Sequence, residues 1–243
     1  MKETTLYESP IFEIRNLRVT YGFRRAVDDL SLSLESNQSL GILGLNGAGK
    51  SSTLRVLLGM QRARAGTVRL FGERPGSLRS LRALGYAPED GTPPDYLTAE
   101  EYLRFVGNFR IGDRKTLKSQ VGELLDWFEL TGKKKIRDYS KGMRRRIVLA
   151  QAFLGNPRLL ILDEPLNGLD PLMIIKLRDR LHLYMTGGGT VVFSSHILAE
   201  VEKTCSRVAI LDKGQLQLSA TLGEVVTEFG SVENAFAKKV GNS

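Results

Sequence analysis

The sequence predicts an α/β fold in which a parallel sheet presents its working residues at the strand ends. Three observations predict it. Apolar runs of strand length, Leu159-Leu160-Ile161-Leu162 and Thr190-Val191-Val192-Phe193, alternate with helical patterns, as buried parallel strands require. Gly44-Leu45-Asn46-Gly47-Ala48-Gly49-Lys50-Ser51 fits the phosphate-loop pattern G-x-x-x-x-G-K-[ST] at every fixed position, between a strand-like and a helix-like run. Nearer the start, two segments alternate apolar and polar residues, the pattern of half-exposed strands.

Taken in order, Met1 to Pro10 are polar and unpatterned, a loose end. Ile11–Val19 and Ala26–Leu34 are the alternating strands, and Thr67–Gly72 is a third. Together they suit a small antiparallel sheet leaning on the core. Leu40–Leu43 is a short buried strand, and Ser51–Leu58 a helix that Gly59 stops. Leu84–Asp90 ends a strand in a charged loop. Thr98-Ala99-Glu100-Glu101 is a capping box opening a helix through Phe109. Lys115–Leu130 follows, with Val121, Leu124, Leu125 and Phe128 on one face. A third helix from Ser140 stops at Gly155-Asn156-Pro157. Residues 92–156 are thus a helical insertion in an α/β chain. After it, Asp170-Pro171 caps a helix, Thr190–Ser195 is a buried strand, and Val208–Leu218 is a hairpin turning at Lys213-Gly214. From Thr221 the pattern is helical, with a break at Gly230-Ser231.

Composition narrows the class. The 243 residues, 42% hydrophobic and 26% charged, suffice for one large domain or two small ones. The formal charge of +8 favours an anionic partner without choosing one. The single cysteine, Cys205, excludes an internal disulfide and fits a reducing compartment. No apolar run approaches the ~18 residues of a membrane span, and the first residues lack the apolar stretch of a signal peptide. A soluble, cytosolic chain is expected.

The chemistry gathers at the carboxyl ends of the strands, where open α/β sheets bind ligands. Gly44, Gly47 and Gly49 let backbone N–H groups turn toward phosphate oxygens, with Lys50 reaching the β- and γ-phosphates and Ser51 supplying a hydroxyl to Mg²⁺. Asp163 is placed to hold Mg²⁺, and Glu164 to orient or deprotonate an attacking water. His196, ending its strand, is a candidate γ-phosphate sensor. Spacing alone puts Tyr21 in the core.

With these motifs in this order, the chain resembles the nucleotide-binding subunit of an ABC transporter along nearly its whole length. Gly44–Ser51 corresponds to the Walker A loop and Leu160–Glu164 to the Walker B strand with its catalytic glutamate. Leu169-Asp170 corresponds to the D-loop and Ser195-His196 to the switch histidine. Tyr139-Ser140-Lys141-Gly142-Met143 stands at the signature usually written LSGGQ, and Glu89 where the family has the Q-loop glutamine. Both departures look like those of ATPases paired with drug, polysaccharide or copper-processing export permeases.

The resemblance implies a RecA-like P-loop NTPase core with a small antiparallel β subdomain and an inserted helical subdomain. It places the ATPase domain at 11–229 and a short helical tail at 230–243. It implies a transport-coupled ATP hydrolase on the cytoplasmic face of the inner membrane, using ATP and Mg²⁺. The implied partners are a second ATP-binding subunit, in a homodimer, and an integral membrane permease docked on the Glu89 loop and the helical insertion. It also moves Tyr21 from the core to the adenine face. ATP-binding residues become Tyr21, Gly44, Asn46, Gly47, Ala48, Gly49, Lys50, Ser51 and Ser52, with Ser140 and Gly142 closing the partner's site. Glu164, His196 and Glu89 are the catalytic set, and Ser51, Asp163 and Glu89 the metal set.

Two rivals bear on this. Lys133-Lys134-Lys135 and Arg144-Arg145-Arg146 would suit a soluble ABC ATPase acting on ribosomes or nucleic acid. Neither the tandem domains nor the long coiled coil that such members resemble is present, so nucleic acid is not expected, and the arginines read as a solvated or interface face. A small-molecule kinase leaves the signature, D-loop and histidine unexplained.

Overall fold

The computed structural model describes residues 10–241, so nearly all of the loose end expected at the start lies outside the described residues. Strands β1 (Phe12–Tyr21) and β2 (Arg24–Leu34) pair antiparallel, and β3 (Ser39–Leu43) runs into the phosphate loop and helix α1 (Lys50–Leu57). Strand β4 (Ala65–Leu70) pairs with β1, completing a three-stranded sheet in the order β2-β1-β4. A short helix α2 (Leu78–Arg82) precedes β5 (Leu84–Ala87).

Three helices follow: α3 (Ala99–Gly107), α4 (Arg114–Trp127) and α5 (Lys141–Phe153). The capping box at the head of α3 is formed in both directions, with Thr98 Oγ1 accepting from the Glu101 amide and Glu101 accepting from the Thr98 amide. Strand β6 (Leu159–Asp163), helix α6 (Pro171–Thr186), strand β7 (Thr190–Ser195) and helix α7 (Leu198–Thr204) return the chain to the sheet. Strands β8 (Arg207–Asp212) and β9 (Gln215–Thr221) form the hairpin, turning through Lys213 and Gly214 at φ of 48° and 83°. Helices α8 (Leu222–Phe229) and α9 (Val232–Val240) follow, separated by Gly230 at φ 80°. Val232 and Ala235 of α9 are buried in the same core as α3–α5.

The main sheet has the order β5-β6-β7-β3-β8-β9, parallel except for β9. Its side chains alternate between two cores. Leu40, Ile42, Leu159, Ile161, Val192, Ala209 and Leu211 face the antiparallel sheet and α1. Leu43, Leu160, Leu162, Val191, Phe193, Val208 and Ile210 face the helices. The strict period of two in a strand makes this division automatic. A continuous apolar run is what a strand walled on both faces requires. Burial pushes the Cys205 thiol up, leaving it a small apolar filler in the helical core.

Candidate active site

The phosphate loop is fixed by close backbone approaches. A Cβ on Gly44 would stand 2.6 Å from Leu211 O, and one on Gly49 2.7 Å from Ala26 O. Gly49 also has φ 103°, a conformation that L side chains rarely adopt. The turn of the last hairpin clamps the loop, because the Gly214 amide donates to Ala48 O and Gly214 O accepts from the Asp28 amide. The first N–H groups of α1 lack acceptors within the helix and carry the positive end of its dipole, so the loop is an anion cradle.

Lys50 is buried, with its Nζ donating to Gly44 O at 2.7 Å and lying 3.6 Å from Glu164 Oε1. Phosphate oxygens of a nucleotide would compete with Glu164 for this cation. Glu164 is itself buried, and its Oε2 is 2.8 Å from His196 Nδ1. Its backbone sits at φ 45° and is held by Ser194, whose carbonyl and hydroxyl both accept from the Glu164 amide. The Ser194 hydroxyl also donates to Asp163 Oδ1, which fixes that carboxylate. Lys50, Glu164 and His196, far apart in sequence, thus form one chain of polar contacts.

A cleft of ≈ 340 Å³ opens over them, lined by Tyr21, Arg24, the loop from Leu45 to Ser52, Glu89 and Glu164. Tyr21 is 42% exposed at its rim, so the core position drawn from spacing alone is overturned; the residue ends β1 beyond the packed part of the sheet. Gly44, Asp163 and His196 lie beside or beneath the cleft rather than in its wall. Ser140 and Gly142 do not line it. Ser140 N-caps α5, its Oγ accepting from the Met143 amide at 3.2 Å, and a Cβ on Gly142 would meet Gly168 O at 2.9 Å. Asp170 caps α6, as the sequence predicts, and also pairs with Arg146 at 2.6 Å.

Glu89 accepts from Asn167 Nδ2 at 3.2 Å. Desolvation first, then the carboxylates of Glu164, Asp163 and Asp90, holds its carboxyl above the usual range, and the Asn167 bond opposes this. Beneath it runs Arg145, whose guanidinium donates to the carbonyls of Pro88, Glu89, Asp163 and Glu164. Burial pulls its basicity down, while the carboxylates of Asp163 and Glu89 favour its charged form.

The arginine run is therefore not a solvated face. Arg144 donates to the carbonyls of Ile136, Arg137 and Tyr139, Arg145 is buried, and Arg146 pairs with Glu129 and Asp170. Only the lysine run keeps exposed members, Lys133 and Lys134. Sequence reasoning also passed over Arg24, Ser194 and Asn167. Arg24 is the second cation lining the cleft and reaches within 3.1 Å of where a Cβ on Gly47 would stand.

A second concavity, ≈ 540 Å³, lies where α1, α2 and β5 meet the end of α3. Met60, Leu78, Leu81 and Phe109 expose apolar surface along it.

Residues 27–167 match a family model described as ABC transporter. The chain is 39% identical over 225 residues to an uncharacterised ABC transporter ATP-binding protein of Synechocystis sp., covering 88% of this chain and 64% of that protein, so it spans less than two thirds of that relative's length. It is 35% identical to Nod factor export ATP-binding protein I of Ralstonia nicotianae, covering 90% of this chain and 70% of that one. It is 34% identical to the ABC-type transporter ATP-binding protein EcsA of Bacillus subtilis, covering 93% of each. A solved ATP-binding subunit of an ABC transporter superposes with a TM-score of 0.87 at 30% identity, covering 94% of this chain and 98% of that one.

Proposed function

The chain belongs to the ABC transporter family, as an ABC-type ATPase domain, and from that premise we propose that it is the subunit whose ATP binding and hydrolysis drive a membrane permease, in the export direction. The observation that carries the reading is the convergence of Lys50, Glu164 and His196 beneath the phosphate-loop cleft. The β- and γ-phosphates bind the loop amides and Lys50, which leaves Glu164 to take a water proton while His196 holds its other oxygen. Ser51, Asp163 and Glu89 are hard oxygen donors of the kind that hold Mg²⁺ together with substrate phosphates. When bound, the ion would neutralise charge on the β- and γ-oxygens.

Ser140 and Gly142 stand outside the cleft of their own chain, and they close the site of a second copy packed head to tail. One of the solved structures sharing the fold, at 21% identity, is a dimeric ATP-binding cassette with ADP and phosphate. The apolar concavity around Met60, Leu78 and Phe109, beside the helical insertion, offers the permease a docking groove. Export is supported by the Nod factor export relative. Among the described residues no helix is long and apolar enough to cross a membrane, and attachment to the cytoplasmic membrane face runs through the permease. The bonds made by Arg144, Arg145 and Arg146 leave the nucleic-acid reading without its principal support.

Glu164→Gln tests the proposal. It keeps the shape and loses the base, so phosphate release falls roughly a hundredfold or more. ATP binding persists, and a dimer accumulates on gel filtration with ATP. A variant turning over at the wild-type rate removes Glu164 from the mechanism.

A further inference from the structure

Arg145 joins two loops that lie far apart in the chain. Its Nη1 donates to Pro88 O and, at 3.1 Å, to Glu89 O, while its Nη2 donates to Asp163 O at 2.8 Å and Glu164 O at 2.9 Å. The residue is 7% exposed. A guanidinium is planar and presents its donors in a fixed fork, so the spacing between the two loops is set by the shape of one group. Neither neighbour does this. Arg144 bonds carbonyls just ahead of its own helix, and Arg146 pairs with Glu129 and Asp170.

The bridge matters most at Glu164. Its φ of 45° is sparsely populated for a non-glycine residue, and such a conformation persists only where surroundings over-determine it. Its carbonyl accepts from Arg145 Nη2 and from the Asn167 amide at 3.2 Å. The same Arg145 stands on α5, the helix that Ser140 caps. One side chain therefore ties the signature helix, the Glu89 loop and the backbone of Glu164 into a single unit.

We propose that Arg145 is a positioning residue for hydrolysis, holding the Glu164 carboxylate in its working orientation and making that orientation follow the Glu89 loop. The inference rests on the reading of Glu164 as the base. A shift of the Glu89 loop moves Nη1, and a rigid fork passes the shift to the carbonyls of Asp163 and Glu164. ATP binding, which depends on the phosphate loop, lies off this route.

The test uses Arg145→Met, which keeps the stem and removes the donors, and Arg145→Lys, which keeps the charge as a single point donor. Three quantities are measured on the full chain: turnover at saturating ATP, affinity for a non-hydrolysable ATP analogue with Mg²⁺, and amide hydrogen exchange by mass spectrometry. For Arg145→Met, turnover falls about tenfold or more while affinity stays within about twofold. Peptides covering 88–91 and 163–168 exchange faster together, and those covering β3 and β8 do not change. Arg145→Lys gives an intermediate rate and loosens one loop only. Wild-type turnover in both variants, affinity and rate falling together, or a uniform rise in exchange overturns the proposal. Should Arg145→Met fail to fold, Arg145→Lys decides alone, and wild-type rate with wild-type exchange overturns it. A wild-type chain that hydrolysed no ATP would sink the reading of Glu164, while exchange would still show whether Arg145 couples the loops.

Discussion

The phosphate loop and the signature turn each stand at the N-terminus of a helix, and they are finished in opposite ways. At the head of α1 a buried lysine, a buried glutamate and a histidine converge within one chain. At the head of α5 Ser140 and Lys141 are exposed, and the Ser140 hydroxyl accepts from the Met143 amide of its own helix. Both ends offer backbone N–H groups to an anion. At the first, a buried cation lies beside a buried carboxylate, whereas the lysine at the second, Lys141, is exposed. On the proposed reading, the difference is between one complete catalytic end and one end shaped to complete another.

The sharpest break of that comparison is Lys50→Ala. It removes the cation of the complete end, strands Glu164 without its buried partner, and lowers ATP affinity about tenfold to a hundredfold, read by nucleotide titration. Hydrolysis is lost with it. Ser140→Gly should lower turnover about tenfold while leaving ATP affinity of the separated chain unchanged. Glycine keeps most of the capping stability, with a loss of a few tenths of a kcal/mol, so a fall in rate reports the hydroxyl rather than the fold. Mixing the inactive Lys50 variant with the slowed Ser140 variant then decides where the signature acts. Each mixed dimer contains one site with both Lys50 and Ser140, and recovered phosphate release means action across the interface. No recovery on mixing would place both ends in the same site.

Smaller effects sharpen the picture at the cleft wall. Arg24→Ala removes the second cation and should weaken ATP binding about two- to fivefold, with less effect on nucleotides of lower charge; equal effects on ATP and AMP would contradict a phosphate contact. Glu89→Gln tests the crowding of carboxylates. The Glu89 pKa is raised by folding, so the native state holds that proton more tightly than the unfolded chain. The stability this contributes is present in acid and is lost as pH rises through the raised value. Without added nucleotide, Glu89→Gln should therefore raise Tm slightly at neutral pH, and the gain should vanish in acid. A gain that grew as pH fell would reverse the assignment.

Much of this is legible in the sequence. The strand–loop–helix at Gly44–Ser51, the capping box at Thr98, and the turn at Lys213-Gly214 are local, with chemistry specific to their geometry. Helices α2 and α7 were not read, because runs of 5 and 7 residues are too short to display a helical period. Arg145 was hidden for another reason: its sequence neighbours are also arginines. A signal existed all the same. Ile147-Val148-Leu149-Ala150 continues to Phe153-Leu154 with Gln151 as its one polar residue. A helix apolar on nearly every side has no solvated face to offer a basic run. Arg24, Ser194 and Asn167 carry no such signal, since only the fold brings them to the cleft and its carboxylates.

Among the described residues, the main sheet divides the buried interior into two cores with no residue in both. One consequence is evolutionary. Substitutions in the helices can be absorbed on their own side of the wall, leaving Leu40, Ile42 and Leu54 behind the phosphate loop undisturbed. A lineage could remodel the surface that meets its partners, one helix at a time, while inheriting the engine unchanged. The exceptions would be the few side chains that reach through to the far ends of the strands, and Arg145 should drift more slowly than the surface around it.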